Sequence, residues 1–317
     1  MGWKSFLREE QMRFTILTQY FPPEVGAPQA RLPAIAREVK RRGHEVPVLT
    51  AMPNYPEGRI YRGYRRKLYL REAVEGIPVK RTWIFPSTGR GFLRLLNYSS
   101  FSATSLFPLL LASRPDVVFV ESPPLFLGLN GVFLKKLRNV PFVFNVADLW
   151  PDSVKELGVI ENESVLAGLY RIERAIYTDA LMINAVTQGI RDRIVNEKRI
   201  DPAKVVFFPN GVDTAVFFPV EEEPRLRAEL GLDGRPVFVY PGTIGIAQGF
   251  DVVLRAAKIL EEERTQAAFL FVGAGSDRSR LEDLSRELGL NSVRFLNPVA
   301  PHEINRILAL SVAGIVT

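Results

Sequence analysis

The residues best placed to do chemistry sit in a glycine-rich turn late in the chain. Val237 to Tyr240 is an apolar run, Gly242, Gly245 and Gly249 follow, and Val252 to Leu260 has helical periodicity. Glycines at a strand-to-helix turn let backbone N–H groups approach an anion, and the helix N-terminus adds roughly half a positive charge there. This is the outline of a diphosphate site. A second turn of the same kind carries Gly273 and Gly275 and ends at Arg278. It offers amides to a phosphate or ribose, with Arg278 and Arg280 as possible charge partners. Because Arg278 stands where a third glycine is required, it is a poor match to the dinucleotide fingerprint. Earlier in the chain, Asp148 closes the apolar run Phe142 to Ala147. A carboxylate at a strand end could orient or deprotonate a hydroxyl, or serve as a helix N-cap or loop anchor.

Two loops of the first half add candidates. Pro22 to Pro28 holds Glu24 and Gly26 and leads into a helix with Arg31. Gly26 permits close backbone approach ahead of that helix, or the segment is a rigid turn. Ala51 to Gly58 is stiffened by prolines and presents Asn54 and Tyr55, as a substrate-contacting loop or as a plain turn. His44 reads as a structural residue, since it precedes a strand and ligands in such sheets bind beyond strand carboxyl ends.

Composition removes several classes. There is no cysteine, hence no disulfide, thiolate metal site or thiol nucleophile. Two histidines argue against a histidine-rich metal centre. Hydrophobic content of 47% and a mean hydropathy of +0.04 describe a globular chain. Residues 1–213 hold 30 Lys and Arg against 21 Asp and Glu, whereas residues 214–317 hold 11 against 14. The first half therefore faces something anionic. Its densest basic run, Arg59 to Arg71, interleaves cations with tyrosines and leucines. That pattern suits a lipid headgroup surface, or the run is a solvated loop. Phe92 to Ala112 is the most apolar stretch, interrupted by Arg94, Asn97 and serines. It falls short of the ~20 apolar residues of a spanning helix and reads as a helix lying on a membrane surface or buried against a sheet. The first residues lack a signal-peptide pattern.

The elements that position these groups alternate as βαβ units. One series of strands is expected at 14–18, 45–51, 79–83, 117–121, 142–147, 180–184 and 205–209. A second is expected at 237–240, 268–272, 293–296 and 313–317. Helical patterns fill 29–42, 92–112, 125–138, 163–177, 187–197, 224–230, 250–263, 277–288 and 301–310. Both series predict parallel sheets covered by helices on each face. The expectation is an α/β chain with an N-terminal extension over 1–11 and two Rossmann-like doubly wound domains, 12–213 and 214–317, with a cleft between them. Residues 311–317 read as the middle of a strand, so the second domain is expected to be incomplete.

These segments, in this order, resemble the retaining glycosyltransferases of family 4 with the GT-B fold. The subgroup is that of the fucosaminyl- and N-acetylhexosaminyl-transferase-like enzymes of O-antigen, lipopolysaccharide, capsule and exopolysaccharide synthesis. The motifs are Pro22-Pro-Glu-x-Gly-x-Pro28, Arg42-Gly-His-Glu-Val46, Asn54-Tyr-Pro-Glu-Gly58, Asp148-Leu-Trp-Pro151, Pro209-Asn-Gly-Val-Asp213, Tyr240 to Gly249, and Gly273-x-Gly275.

The resemblance implies transfer of a sugar from a nucleotide-diphosphate sugar to a lipid-linked saccharide, typically on undecaprenyl diphosphate. Anomeric configuration would be retained, and no metal or other cofactor would be needed. It places the donor at Gly26, Gly242, Thr243, Gln248, Gly249, Gly273, Gly275, Arg278, Pro298 and Val299. It places the acceptor at Glu24, Arg31, Asn54 and Tyr55, and makes Asp148 the catalytic residue.

It also implies a cytoplasmic protein, peripheral at the inner face of the cell membrane, facing an anionic membrane surface and binding no nucleic acid. Many members carry Arg and Lys where this chain has Thr243 and Gln248. Backbone amides, the helix dipole, Arg278 or Arg31 are then expected to hold the diphosphate. The family's paired glutamates, eight apart, would fall beyond residue 317. The other readings are a nucleotide-sugar 2-epimerase of the same fold and a non-catalytic truncated remnant.

Overall fold

The computed structural model describes residues 11–24, 26–87, 92–158, 160–232 and 234–317. Residues 1–10, most of the expected N-terminal extension, lie outside the described residues. The chain divides into two compact units, Met1–Gly211 and Val212–Thr317.

In the first unit the strands are β1 (Phe14–Leu17), β2 (Val48–Ala51), β3 (Tyr69–Val74), β4 (Ile77–Thr82), β5 (Val117–Ser122), β6 (Phe142–Val146), β7 (Met182–Ala185) and β8 (Val205–Phe207). They form one sheet in the order β3-β4-β2-β1-β5-β6-β7-β8. The helices are α1 (Ala27–Arg41), α2 (Phe92–Leu111), α3 (Leu127–Arg138), α4 (Asp152–Glu156), α5 (Glu163–Asp179) and α6 (Gln188–Asp192). All six residues of β5 are buried, as expected of a parallel strand covered on both faces. One face packs Leu32 and Ala36 of α1 on Ile16, Val48 and Val79. The other packs Phe101 and Leu109 of α2, Leu134 of α3 and Ile176 of α5 on Leu17, Val118 and Phe144.

Local signals set the helix ends. Pro28 occupies the first turn of α1, where a missing N–H costs nothing. Asn162 caps α5 by accepting the Val165 amide. Asn139 ends α3 in the left-handed region at φ 51°.

The sheet is not all parallel. β3 pairs antiparallel with β4 through a two-residue turn at Glu75 and Gly76, whose φ values are 50° and 73°. Positive φ at both positions is what a tight hairpin turn demands. The first three residues of β3, Tyr69 to Arg71, belong to the basic run and carry no strand signal there. α2 is a core helix along one side, while Leu93, Leu96, Phe107 and Leu111 on another side are exposed. Among the described residues no helix is long and apolar enough to cross a membrane.

The second unit has β9 (Val237–Pro241), β10 (Ala268–Val272), β11 (Val293–Leu296) and β12 (Ala313–Gly314), with α7 (Pro224–Glu229), α8 (Asp251–Glu262), α9 (Arg278–Glu287) and α10 (Pro301–Ala309). The sheet order is β11-β10-β9-β12, and every pairing is parallel. The last strand spans two residues rather than the expected 313–317. Phe250, Leu254, Phe271 and Leu281 fill one side of this sheet, and Leu232, Leu270, Ile307 and Leu310 fill the other.

Candidate functional site

In the first unit the candidate residues gather at the carboxyl ends of the strands, with roles that divide sharply. Glu24 is buried, and its carboxylate accepts the amides of Asn54 at 2.7 Å, Tyr55 at 2.8 Å and Phe21 at 3.4 Å. Burial pushes it up to about 7, against the pull of those three amides. It ties the loop after β1 to the loop after β2 rather than facing a substrate. Asn54 is buried too and donates to Met52 O at 3.0 Å, inside its own loop. Tyr55 keeps open surface and meets Tyr20 edge-on at 5.6 Å. Gly26 lies just ahead of α1, and its carbonyl accepts the Ala30 amide at 3.0 Å.

Arg31 is drawn inward. Its guanidinium pairs with buried Glu121 and donates to Asn210 Oδ1. Glu121 also accepts from Asn145 Nδ2 at 3.0 Å; Asn184 Nδ2 donates to Asn145 Oδ1, and to Phe208 O at 3.2 Å. Glu121, Asn145 and Asn184 are register partners across β5, β6 and β7. A buried polar row therefore crosses the sheet near its carboxyl edge, from α1 to the segment after β8. Desolvation pushes Glu121 up to about 7, with Arg31 pulling it down. The sequence did not single out this row, because each member is a lone polar residue inside an apolar run.

Asp148 lies two residues beyond β6 and is exposed. The protein packed around it raises its carboxyl above the ordinary aspartate range; the Ser153 hydroxyl, the Leu149 amide and the Arg94 guanidinium pull it part of the way back. Its turn is held on both sides. Trp150 is buried against Phe126 at 5.8 Å and Tyr98 at 6.3 Å. Asp152 accepts the Tyr170 hydroxyl at 2.7 Å and pairs with Lys198, which also reaches Glu173 at 3.1 Å. Asp148 is thus a presented carboxylate, whereas Glu24 and Asp152 are internal.

Arg94, read from sequence only as an interruption in an apolar stretch, joins this group. Its Nε donates to the Tyr98 hydroxyl at 2.9 Å, and it is electrostatically linked to Asp148 and Tyr20.

In the second unit the two glycine turns pack on each other. The Gly242 amide donates to Val272 O at 2.9 Å, the Ile244 amide to Ala274 O at 2.9 Å, and the Asp277 amide to Ile244 O at 3.1 Å. A Cβ on Gly273 would stand 1.8 Å from Gly242 O, and one on Gly275 would stand 2.0 Å from Ile244 O. Both glycines are explained by backbone lying on backbone. The Gly245 amide donates to Gln248 Oε1 at 3.1 Å, so Gln248 closes its own turn. The Tyr240 hydroxyl donates to Thr243 O at 2.9 Å. Gly249 takes φ +60° just ahead of α8, a conformation that favours glycine.

The expected bare cradle is corrected on two counts. The amides of Gly242, Ile244 and Gly245 already have protein acceptors. The Arg278 guanidinium is turned onto Gly273 O at 2.8 Å, Leu296 O at 3.1 Å and Asn297 Oδ1 at 3.2 Å, with Glu282 at 2.7 Å. It fastens the turn to the end of β11. Arg280 is likewise paired with Asp251 and Asp277. Beyond β11, Pro298 is exposed, and Val299 packs on the cluster of Leu270 and Ile307. Among the described residues, no three His, Cys, Asp or Glu stand together as a metal site.

Comparison with known proteins fits this arrangement. Residues 26–211 match the family described as glycosyl transferase 4-like domain, and residues 222–316 match glycosyl transferases group 1. The putative colanic acid biosynthesis glycosyl transferase WcaI of Escherichia coli K12 is 29% identical over 262 residues, 80% of this chain and 64% of that protein. The probable glycosyltransferase WbjE of Pseudomonas aeruginosa is 27% identical over 197 residues, 61% of this chain and 48% of that protein. The chain therefore spans less than two thirds of each of these two relatives.

Among solved structures, sucrose-phosphate synthase from Thermosynechococcus elongatus superposes with a TM-score of 0.72 at 15% identity, covering 96% of this chain and 75% of that one. Anabaena HepE in complex with UDP-glucose gives 0.66 at 16% identity, covering 97% and 74%. These structures share the GT-B fold, with its two Rossmann-like domains. With its first unit matched almost throughout, the chain belongs to the glycosyl transferase 4-like family.

Proposed function

We propose that this protein moves a sugar from a nucleotide-diphosphate sugar to a saccharide carried on a lipid diphosphate, retaining anomeric configuration and using no metal. The observation that carries the reading is Asp148: a family member's strand-end carboxylate, exposed, raised by its surroundings and set beside Arg94. It is suited to orienting an acceptor hydroxyl or supporting positive charge on the reacting sugar carbon.

Donor binding is assigned to the second unit, where the turn from Tyr240 to Gly249 runs into α8. Because several amides of that turn are engaged, the diphosphate is expected at the remaining N-terminal amides of α8 and its dipole. The UDP-glucose named with HepE supports a nucleotide-sugar donor, and the colanic acid named with WcaI supports surface polysaccharide synthesis. The basic run Arg59 to Arg71, with exposed Leu68 and Tyr69, supports placement at the anionic inner face of a membrane. An epimerase is disfavoured, because Glu24 and Asp152 are internal and leave Asp148 without an acid–base partner from that set.

The test is thermal unfolding with UDP, GDP and ADP, followed by transfer from the stabilising nucleotide's sugars to a lipid-diphosphate saccharide. One nucleotide should raise the melting temperature. No shift with any of the three would sink the reading.

A further inference from the structure

The hairpin of β3 and β4 treats its two faces differently. On one face Arg81 is fully buried and pairs with Glu72. On the other, Arg71 and Lys80 are direct cross-strand partners, and both border one open groove. Like charges opposite one another destabilise a hairpin, yet no carboxylate is bonded to either among the described residues. Arg71 only donates to the Tyr69 hydroxyl at 3.0 Å, with its guanidinium 5.6 Å from that ring.

The opposite wall of the groove is the outer side of α2. Phe107 and Leu111 are 69% and 70% exposed there. The groove, about 350 Å³, shares Lys80, Pro108 and Ala112 with a neighbouring cavity of about 560 Å³. The groove begins at Thr82 and Thr104, beside the carboxyl end of β4, and the neighbouring cavity reaches Val46 ahead of β2. Among the described residues the one acid lining either cavity, Glu45, is already paired with Arg13. An apolar trough with two unpaired cations at its rim has the chemistry of an anionic amphiphile site.

We propose that this groove binds one phosphate-headed lipid, with the phosphate bridging Arg71 and Lys80 and the hydrocarbon chain lying along Phe107, Pro108, Leu111 and Ala112. The phosphate removes the repulsion between the two cations, and the chain covers the exposed side of α2. This extends the lipid-linked acceptor reading above by locating the lipid. The test below uses no sugar donor, so failure of the groove and failure of the transfer reading are seen separately.

The purified full chain is titrated with farnesyl phosphate, farnesol and inorganic phosphate, each kept soluble, and with phosphatidylcholine vesicles with and without phosphatidylglycerol. Farnesyl phosphate should bind at least ten-fold tighter than farnesol or inorganic phosphate. The double variant Arg71→Gln with Lys80→Gln should lose that preference and melt no lower than the parent, since a like-charge contact is relieved. Ala112→Trp, which fills the trough, should weaken farnesyl phosphate and farnesol together. Equal affinity for the two lipids, an unaltered preference in the double variant, or a fall in its melting temperature would overturn the proposal. Binding seen only with anionic vesicles would replace the groove by a flat contact with a bilayer.

Discussion

Replacing Gly275 with alanine tests the backbone packing that shapes the turn proposed to hold the donor. The new Cβ would lie 2.0 Å from Ile244 O, 2.4 Å from its carbonyl carbon and 2.8 Å from its nitrogen. No side chain can swing aside, because all three atoms are backbone. Reaching ordinary contact requires the two turns to separate by roughly 1.4 Å. That separation breaks the Ile244-to-Ala274 and Asp277-to-Ile244 hydrogen bonds, each worth about 1 kcal/mol net, so about 2 kcal/mol is lost. A displacement of this size in a positioning loop costs on the order of 100-fold in rate.

Gly245→Ala is the matched comparison, since its Cβ meets the Gln248 side chain, with Oε1 at 2.8 Å, the end of a flexible side chain. Urea unfolding, amide exchange of residues 240–250 and nucleotide affinity should all separate the two variants. Gly275→Ala should lose about 2 kcal/mol and at least ten-fold in affinity, with Gly245→Ala staying near the parent. If the two unfold alike and exchange alike, the claim that these glycines serve loop-on-loop contact is wrong.

Asp148→Asn should lower turnover by about 10²- to 10⁴-fold while leaving donor affinity and melting temperature near the parent's; an active variant would remove Asp148 from the chemistry. Glu121→Leu leaves the buried Arg31 guanidinium without its partner and should cost about 3–5 kcal/mol in urea unfolding, most of it recovered on adding Arg31→Met; no recovery would mean the pair is not the source of the loss. Glu24 and Glu121 are each raised from 4.5 to about 7, so the folded chain holds extra protons between those values. Their contribution to stability is full below about pH 4.5 and fades as pH rises through 7. The urea midpoint should therefore fall over that range, and Glu24→Gln should flatten the fall; an identical slope in that variant would refute the assignment.

The alternation of apolar runs with helical stretches was legible because buried parallel strands are short, continuous and bounded by glycine and proline. Most strand and helix positions followed from it. The strand Tyr69 to Val74 was not legible, since it follows directly on a basic loop and its half-buried face carries Glu72 between Leu70 and Val74. The glycines at 273 and 275 announced a close approach but not what approaches. The neighbour is the backbone of the sister turn, and only the pairing of β9 with β10 reveals that. Arg278 had the right spacing to reach a phosphate, but spacing carries no direction, and the guanidinium turns back onto carbonyls. Asp148 was identifiable from its position after β6. Arg94 was not, because its proximity depends on how α2 crosses the sheet.

The polar row through Glu121, Asn145 and Asn184 has a consequence for folding. β5, β6 and β7 are apolar nearly throughout, and a parallel strand buried on both faces has few means of telling one alignment from another displaced by two residues. Such a slip would still bury valine, isoleucine and phenylalanine. It would also set Asn145 opposite an apolar neighbour and leave the amides and the carboxylate of the row unsatisfied, at roughly 1–3 kcal/mol for each group. The three residues therefore act as a ruler for the sheet, one that indexes the strands to each other and, through Arg31 and Asn210, indexes α1 and the segment after β8 to the same row.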